Sequence, residues 1–174
     1  HWSDQAHQYA QKKYTSAAKT VMERAAIKFA EQHKVRLSIF LPTLMLGPAI
    51  LPDHARQGFQ GMLKKMIEGG GPRHQQIPND STSMIDVQDL ASLFFAAYEN
   101  EDAHGRYFAM FESWHYQDIY AELEKLIPEA EMPEPLMETA LPATGFDFTR
   151  RDSLGVSLSS IPTILKQTVA SLRV

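Results

Sequence analysis

"KYTSAAKTVMERAAIKFAEQHKVRLSIFLPTLMLGP", residues 13–48, decides the fold. From about Tyr14 to His33 the pattern is helical: Ala18, Met22, Ala25 and Phe29 recur at spacings of three and four and form one apolar stripe. Val35 to Pro42 is then a short, nearly continuous apolar run, expected to be a buried strand that stops at a proline, which has no N–H for a ladder. A helix, a short turn and an apolar strand make half of a βαβ unit. On the helix, Thr15 and Lys19 are four apart and share a face, whereas Tyr14, five before Lys19, is rotated by roughly 140° from it. A tyrosine that donates a proton near neutral pH needs its ordinary pKa of ~10 lowered, and a neighbouring ammonium does this by favouring the phenolate. Threonine has no comparable acidity. A lone lysine on such a helix is ordinarily a solvated surface residue. Tyr9 and Lys13 also stand four apart, but they precede the stripe and pair by chance.

The rest of the chain alternates helices with short strands. Residues 42–53, "PTLMLGPAILPD", are punctuated by three prolines and a glycine and read as a loop. Residues 54–69 read as a helix with Phe59, Met62, Leu63 and Met66 inward, closed by the glycines at 69–71. "SMIDV" is a brief strand, and "DLASLFFAAYEN" after it an apolar helix whose phenylalanines read as core, with Met62, Met66 and Met110. "GRYFAM" is a strand; "SWHYQDIYAELEKLIP" is an amphipathic helix with Ser113 as its expected N-cap. A proline-rich loop, a short strand "FDFT", a turn of helix ended by Gly155, and a last helix with Pro162 in its first turn complete the chain. The class is α/β.

Composition narrows the function. The 174 residues suffice for one domain with a real core, at 44% apolar and 22% charged. A net charge of −4 without a basic block argues against nucleic acid as a partner. No apolar run approaches the ~20 residues that span a bilayer, so no membrane role is expected. The absence of cysteine rules out disulfides and thiolate chemistry, and fits a reducing, cytoplasmic setting. None of the seven histidines has ligand-like spacing, so no metal is expected. There is no G-x-S-x-G elbow. "GGGP" follows a helix rather than a strand, the wrong context for a phosphate loop. Asp86 and Asp89 could form an acid/base pair, but Asp89 is better placed in the first turn of a helix, at its positive end. The opening "HWSDQAHQ" lacks an initiator Met, so a fragment, a processed chain or a missing N-terminus is expected.

These pieces, in order, resemble the C-terminal half of an extended short-chain dehydrogenase/reductase of the dihydroflavonol reductase and cinnamoyl-CoA reductase type. The matching residues are "WSD" at 2–4, "KTVMERAAIKFA" at 19–30, "PTLMLGP" at 42–48, "IDVQDLA" at 85–91, "GRY" at 105–107 and the stretch near Thr149 to Gly155. The resemblance implies the C-terminal part of a Rossmann-like NAD(P)-binding fold plus a small mixed α/β substrate-binding region. It implies that residues 1–48 end the dinucleotide-binding domain and that 49–174 form the substrate-binding region with returning Rossmann segments. Lys19 matches the lysine that holds the nicotinamide ribose and lowers the tyrosine pKa; Pro42, Leu44 and Met45 match the loop against the nicotinamide. The family tyrosine falls on Thr15, so Tyr14 and Thr15 both stand as candidate proton donors. The implied cofactor is NADP or NAD. The implied partners are a small, partly apolar molecule with a carbonyl or alcohol, the missing N-terminal half of the same protein, and a second copy in a homodimer formed through the Lys19 helix. Alone, the 174 residues are expected to be inactive. The rival expectation is a binding or scaffold protein that keeps the fold without the catalytic Tyr.

Overall fold

The computed structural model describes residues 2–49, 51 and 53–173. The chain divides into two compact units, His1–Ile39 and Phe40–Val174.

The first unit holds two helices, α1 (Gln5–Ala10) and α2 (Tyr14–His33). Asp4 caps α1 by accepting from the His7 N–H at 3.0 Å. Lys12 takes a positive φ of 57° between the helices. The Thr20 hydroxyl ties α2 to α1, within 3.1 Å of both Gln8 Oε1 and Ser16 O. The apolar stripe on α2 is not buried. Ala17, Thr20 and Ala30 face inward, while Ala18, Ala25, Met22 (66% exposed) and Phe29 (57%) lie on the surface. The periodicity is helical as expected, but the face that the stripe would cover is not in this unit.

The boundary between the units falls within β1 (Ser38–Pro42), shorter than the run from Val35. β2 (Leu44–Leu46) lies where a loop was expected. Those three residues become a strand because a parallel partner is available: Leu44 pairs with Met84, Met45 with Ile85 and Leu46 with Asp86 of β3 (Ser81–Asp86). Tertiary pairing outweighs the flanking prolines. β5 (Ser113–His115) adds antiparallel to β3, giving the order β2-β3-β5, and β1 pairs with β4 (Gly105–Ala109).

Alternation on β3 sets the two sides of the sheet. Met84 points into the main core, where α3 (Gly58–Ile67), α5 (Tyr116–Leu126) and α7 (Ile161–Leu172) meet. Ile85 points into a second cluster with Leu90 and Leu93 of α4 (Val87–Glu99) and Ala109 of β4. α7 is buried along Ile161, Ile164, Leu165, Thr168, Val169 and Leu172, a spacing of three and four throughout. Each full burial of such an aliphatic side chain contributes roughly 1.5–3 kcal/mol before entropy is counted. On α3, Met62, Leu63 and Met66 are buried and Phe59 partly so. The sequence placed the start of α3 too early. His54–Arg56 is a separate 3₁₀ turn, and Gln57 is extended between it and the helix.

Three further expectations change. Phe94, Phe95 and Tyr98 of α4 are exposed rather than core. Ser113 is in a strand, and the cap of α5 is His115. "FDFT" is not a strand: Asp147 accepts from the Thr149 N–H at 2.9 Å and starts a turn that leads into α6 (Thr149–Asp152). The Phe146 ring meets Phe108 edge to face, with centroids 5.1 Å apart.

Candidate functional site

In the first unit, α2 is regular from Tyr14, the residue following Lys13 at the cap position. Thr15 and Lys19 are both exposed and, at i and i+4, lie on one face. Tyr14 is also exposed, and its ring centroid is 6.1 Å from that of Tyr9. α2 is regular through its first turn, so Tyr14 stays off the face that carries Lys19. Lys13 precedes α2 and Tyr9 lies on α1, so this second Tyr–Lys spacing does not share a helix face.

In the second unit, residues 43–49 form one wall of a cleft of about 610 Å³, and the other is formed by His54, residues 57–60 and Val87. Leu44 and Met45 line it, and Met45 is 53% exposed; Pro42 is outside the lining. The bend of the loop at Gly47 is fixed by a φ of +124°, a region that favours glycine. The loop carbonyl at Gly47 accepts from Gln60 Nε2 at 2.6 Å. Beneath Gly47 lies Asp86, only 3% exposed. Its Oδ1 accepts from the Gln88 N–H at 2.7 Å and caps α4, while its Oδ2 is buried with no hydrogen-bond partner. Asp89 sits in the first turn of α4, as expected, and its Oδ2 accepts from the Ser159 N–H at 2.6 Å. Both carboxylates therefore serve the backbone and are not an acid/base pair.

Two histidines have roles that their spacing does not reveal. His115 is 4% exposed; its Nδ1 accepts from the Gln117 N–H at 3.0 Å and its Nε2 lies 3.1 Å from Asn79 Oδ1. These partners fix the neutral tautomer with the proton on Nε2. Asn79 Oδ1 also accepts from the Leu141 N–H, and its Nδ2 donates to Glu138 and Thr139, so one side chain ties the 138–141 segment to the cap of α5. His74 Nδ1 is 2.9 Å from Tyr120 Oη. Burial, with the Arg73 guanidinium adding to it, lowers the His74 pKa below the usual imidazole value, and burial raises the Tyr120 phenol. Among the described residues, no group of three or more His, Cys, Asp or Glu side chains could hold a metal ion, and no helix is long and apolar enough to cross a membrane.

Sequence reasoning missed Gln60, Gly47 and the cap formed by His115. An Asp just before the apolar helix, Asp86, was the available signal for the α4 cap. Gln60 has no sequence signal, because its partner is thirteen residues away.

No protein-family model matches the chain. Cinnamoyl-CoA reductase CAD2 of Medicago truncatula is 27% identical over 158 residues, covering 90% of this chain and 47% of that protein. Vestitone reductase from alfalfa (Medicago sativa) superposes with a TM-score of 0.78 at 17% identity, over 99% of this chain and 56% of the other. Yeast methylglyoxal/isovaleraldehyde reductase Gre2, complexed with NADPH, superposes with a TM-score of 0.70 at 19% identity, over 89% and 53%. The chain spans about half the length of the curated relatives it matches. In sequence and in fold it is kin to the extended short-chain dehydrogenases/reductases of the cinnamoyl-CoA and dihydroflavonol reductase type.

Proposed function

We propose that this protein is a nicotinamide-dependent reductase acting on the carbonyl of a small, partly apolar molecule. The observation that supports the reading is the 43–49 cleft with Leu44 and Met45 in its wall, the residues that match the nicotinamide-facing loop in the family resemblance. On the same reading, residues 1–48 end the dinucleotide-binding part and residues 49–174 bind the substrate.

By the resemblance, two sets of residues match the nicotinamide end of such a cofactor: Leu44 and Met45 of the second unit match the ring contact, and the exposed Lys19 of the first unit matches the holder of the ribose hydroxyls. They do not fit the pyrophosphate. The β3-to-α4 turn is a strand-to-helix junction, but it carries Asp86 and Asp89 at the helix N-terminus, where a phosphate would be repelled. When bound, the cofactor supplies the hydride that adds to the carbonyl carbon. The chain then delivers a proton to the carbonyl oxygen, giving the alcohol. Of the two candidate hydroxyls, only the phenol of Tyr14 has useful acidity; it lies off the Lys19 face in the regular helix, and we assign it the proton transfer with the first turn of α2 unwinding to bring it round. Lys19 holds the ribose and favours the phenolate that remains.

The test is consumption of NADPH and NADH by the full-length protein with a panel of aldehydes and ketones. Turnover is expected, falling about 10²–10⁴-fold in Tyr14→Phe and little in Thr15→Val. Turnover unchanged in Tyr14→Phe removes Tyr14 from the mechanism. No turnover with any carbonyl compound removes the reductase reading in favour of a binding protein.

A further inference from the structure

Gly47 is constrained from below. Its neighbour Leu46 pairs with Asp86, so Gly47 passes directly over the Asp86 carboxylate, and a Cβ on Gly47 would lie 2.9 Å from Oδ2 and 3.2 Å from Val87 Cγ1. Asp86 cannot turn aside without giving up the cap of α4. Only glycine fits there, and its φ of +124° requires the same. Glycine, however, leaves the backbone conformationally permissive. A loop that must present Leu44 and Met45 in one arrangement needs another group to fix it.

We propose that Gln60 is that group, a positioning residue for the cofactor-facing loop. Its amide donates to the Gly47 carbonyl across the mouth of the cleft and so links α3 to this loop. The helix end that carries Gln60 is itself fixed. The Gly61 N–H donates to Gln57 O at 2.9 Å, and a Cβ on Gly61 would lie 2.5 Å from Arg56 O, so the 3₁₀ turn is packed tightly against the start of α3. Asp86 thus selects glycine at position 47, and Gln60 supplies the order that glycine does not. The inference rests on the cofactor-facing role given to the loop above.

The experiment compares wild type with Gln60→Glu, which keeps the shape but cannot donate, and Gln60→Met, which keeps the length but has no donor. Three quantities are read in the full-length protein: amide hydrogen exchange of residues 43–49, the dissociation constants of NADPH and NADH, and the KM of the carbonyl substrate. Both variants should exchange faster in this segment and bind the nucleotide about three- to tenfold more weakly, the fold-change of one neutral hydrogen bond. Exchange outside residues 43–49 should stay near wild type and the carbonyl KM should change no more than the nucleotide dissociation constant, which separates positioning from general loosening. Unchanged exchange at 43–49, or faster exchange with unaltered nucleotide affinity, overturns the assignment. A wild-type protein that binds neither nucleotide overturns the functional reading and the assignment together.

Discussion

Gly47 lies so close above Asp86 that a Cβ on it would sit 2.9 Å from Asp86 Oδ2. Gly69 has a comparable φ of +83° but nothing within 4 Å of its missing Cβ. The pair separates backbone strain from contact. Gly69→Ala should cost only the left-handed penalty, about 1 kcal/mol. Gly47→Ala should cost that plus displacement of a capping carboxylate, about 2–3 kcal/mol in all. Urea unfolding of the two variants checks this, and equal losses would show that Asp86 yields freely.

His115 and Ser113 provide a second contrast. The cap of α5 is the imidazole, which also anchors Asn79, and Ser113 lies within β5. His115→Phe should therefore cost about 1–2 kcal/mol, whereas Ser113→Ala should stay within about 0.5 kcal/mol. Because Asn79 also holds Leu141, limited proteolysis near 138–141 should accelerate in His115→Phe. A larger loss in Ser113→Ala would restore the cap suggested by the sequence.

His74 predicts an acid-side stability slope. Its folded pKa is held below the usual 6.5, first by burial and then by Arg73. The unfolded chain therefore takes up this proton more readily than the folded protein. The contribution is whole above pH 6.5 and is lost as pH falls from there through the folded pKa. Denaturation midpoints of wild type and His74→Phe, followed from pH 7.5 to 5, should converge as pH falls. Parallel curves would mean that His74 does not titrate differently on folding.

Much of the fold was legible in the sequence because periodicity reports an element's type directly. The bounds of α2 at Tyr14 and His33, the inner face of α3, and the last helix with its proline all follow from spacing alone. What was lost depends on partners distant in sequence. β2 exists because β3 is beside it, and the α2 stripe and the α4 phenylalanines are apolar without being covered here. Periodicity identifies a face that can be buried but not what buries it. Of the candidate site, Lys19, Leu44 and Met45 are named only because the resemblance implies them; periodicity and spacing alone mark none of them. Gln60 is marked by nothing local, since its amide bonds a carbonyl thirteen residues away.

The uncovered α4 face has a measurable consequence. Phe95 is 61% exposed, next to Phe94, and an apolar patch of this kind favours association. The 174-residue chain should self-associate in light scattering, and Phe95→Glu should reduce this while leaving its unfolding midpoint close to that of the parent chain. Association unaffected by the substitution would place the sticky surface elsewhere.

The central claim is that Lys19 belongs to a working reductase site, and its most direct test is turnover of the full-length protein with and without that ammonium. With NADPH or NADH and a carbonyl substrate, wild type should form the alcohol and Lys19→Met should lose about 10²-fold or more in kcat/KM, with weakened nucleotide binding. Turnover that persists undiminished in Lys19→Met would contradict the account.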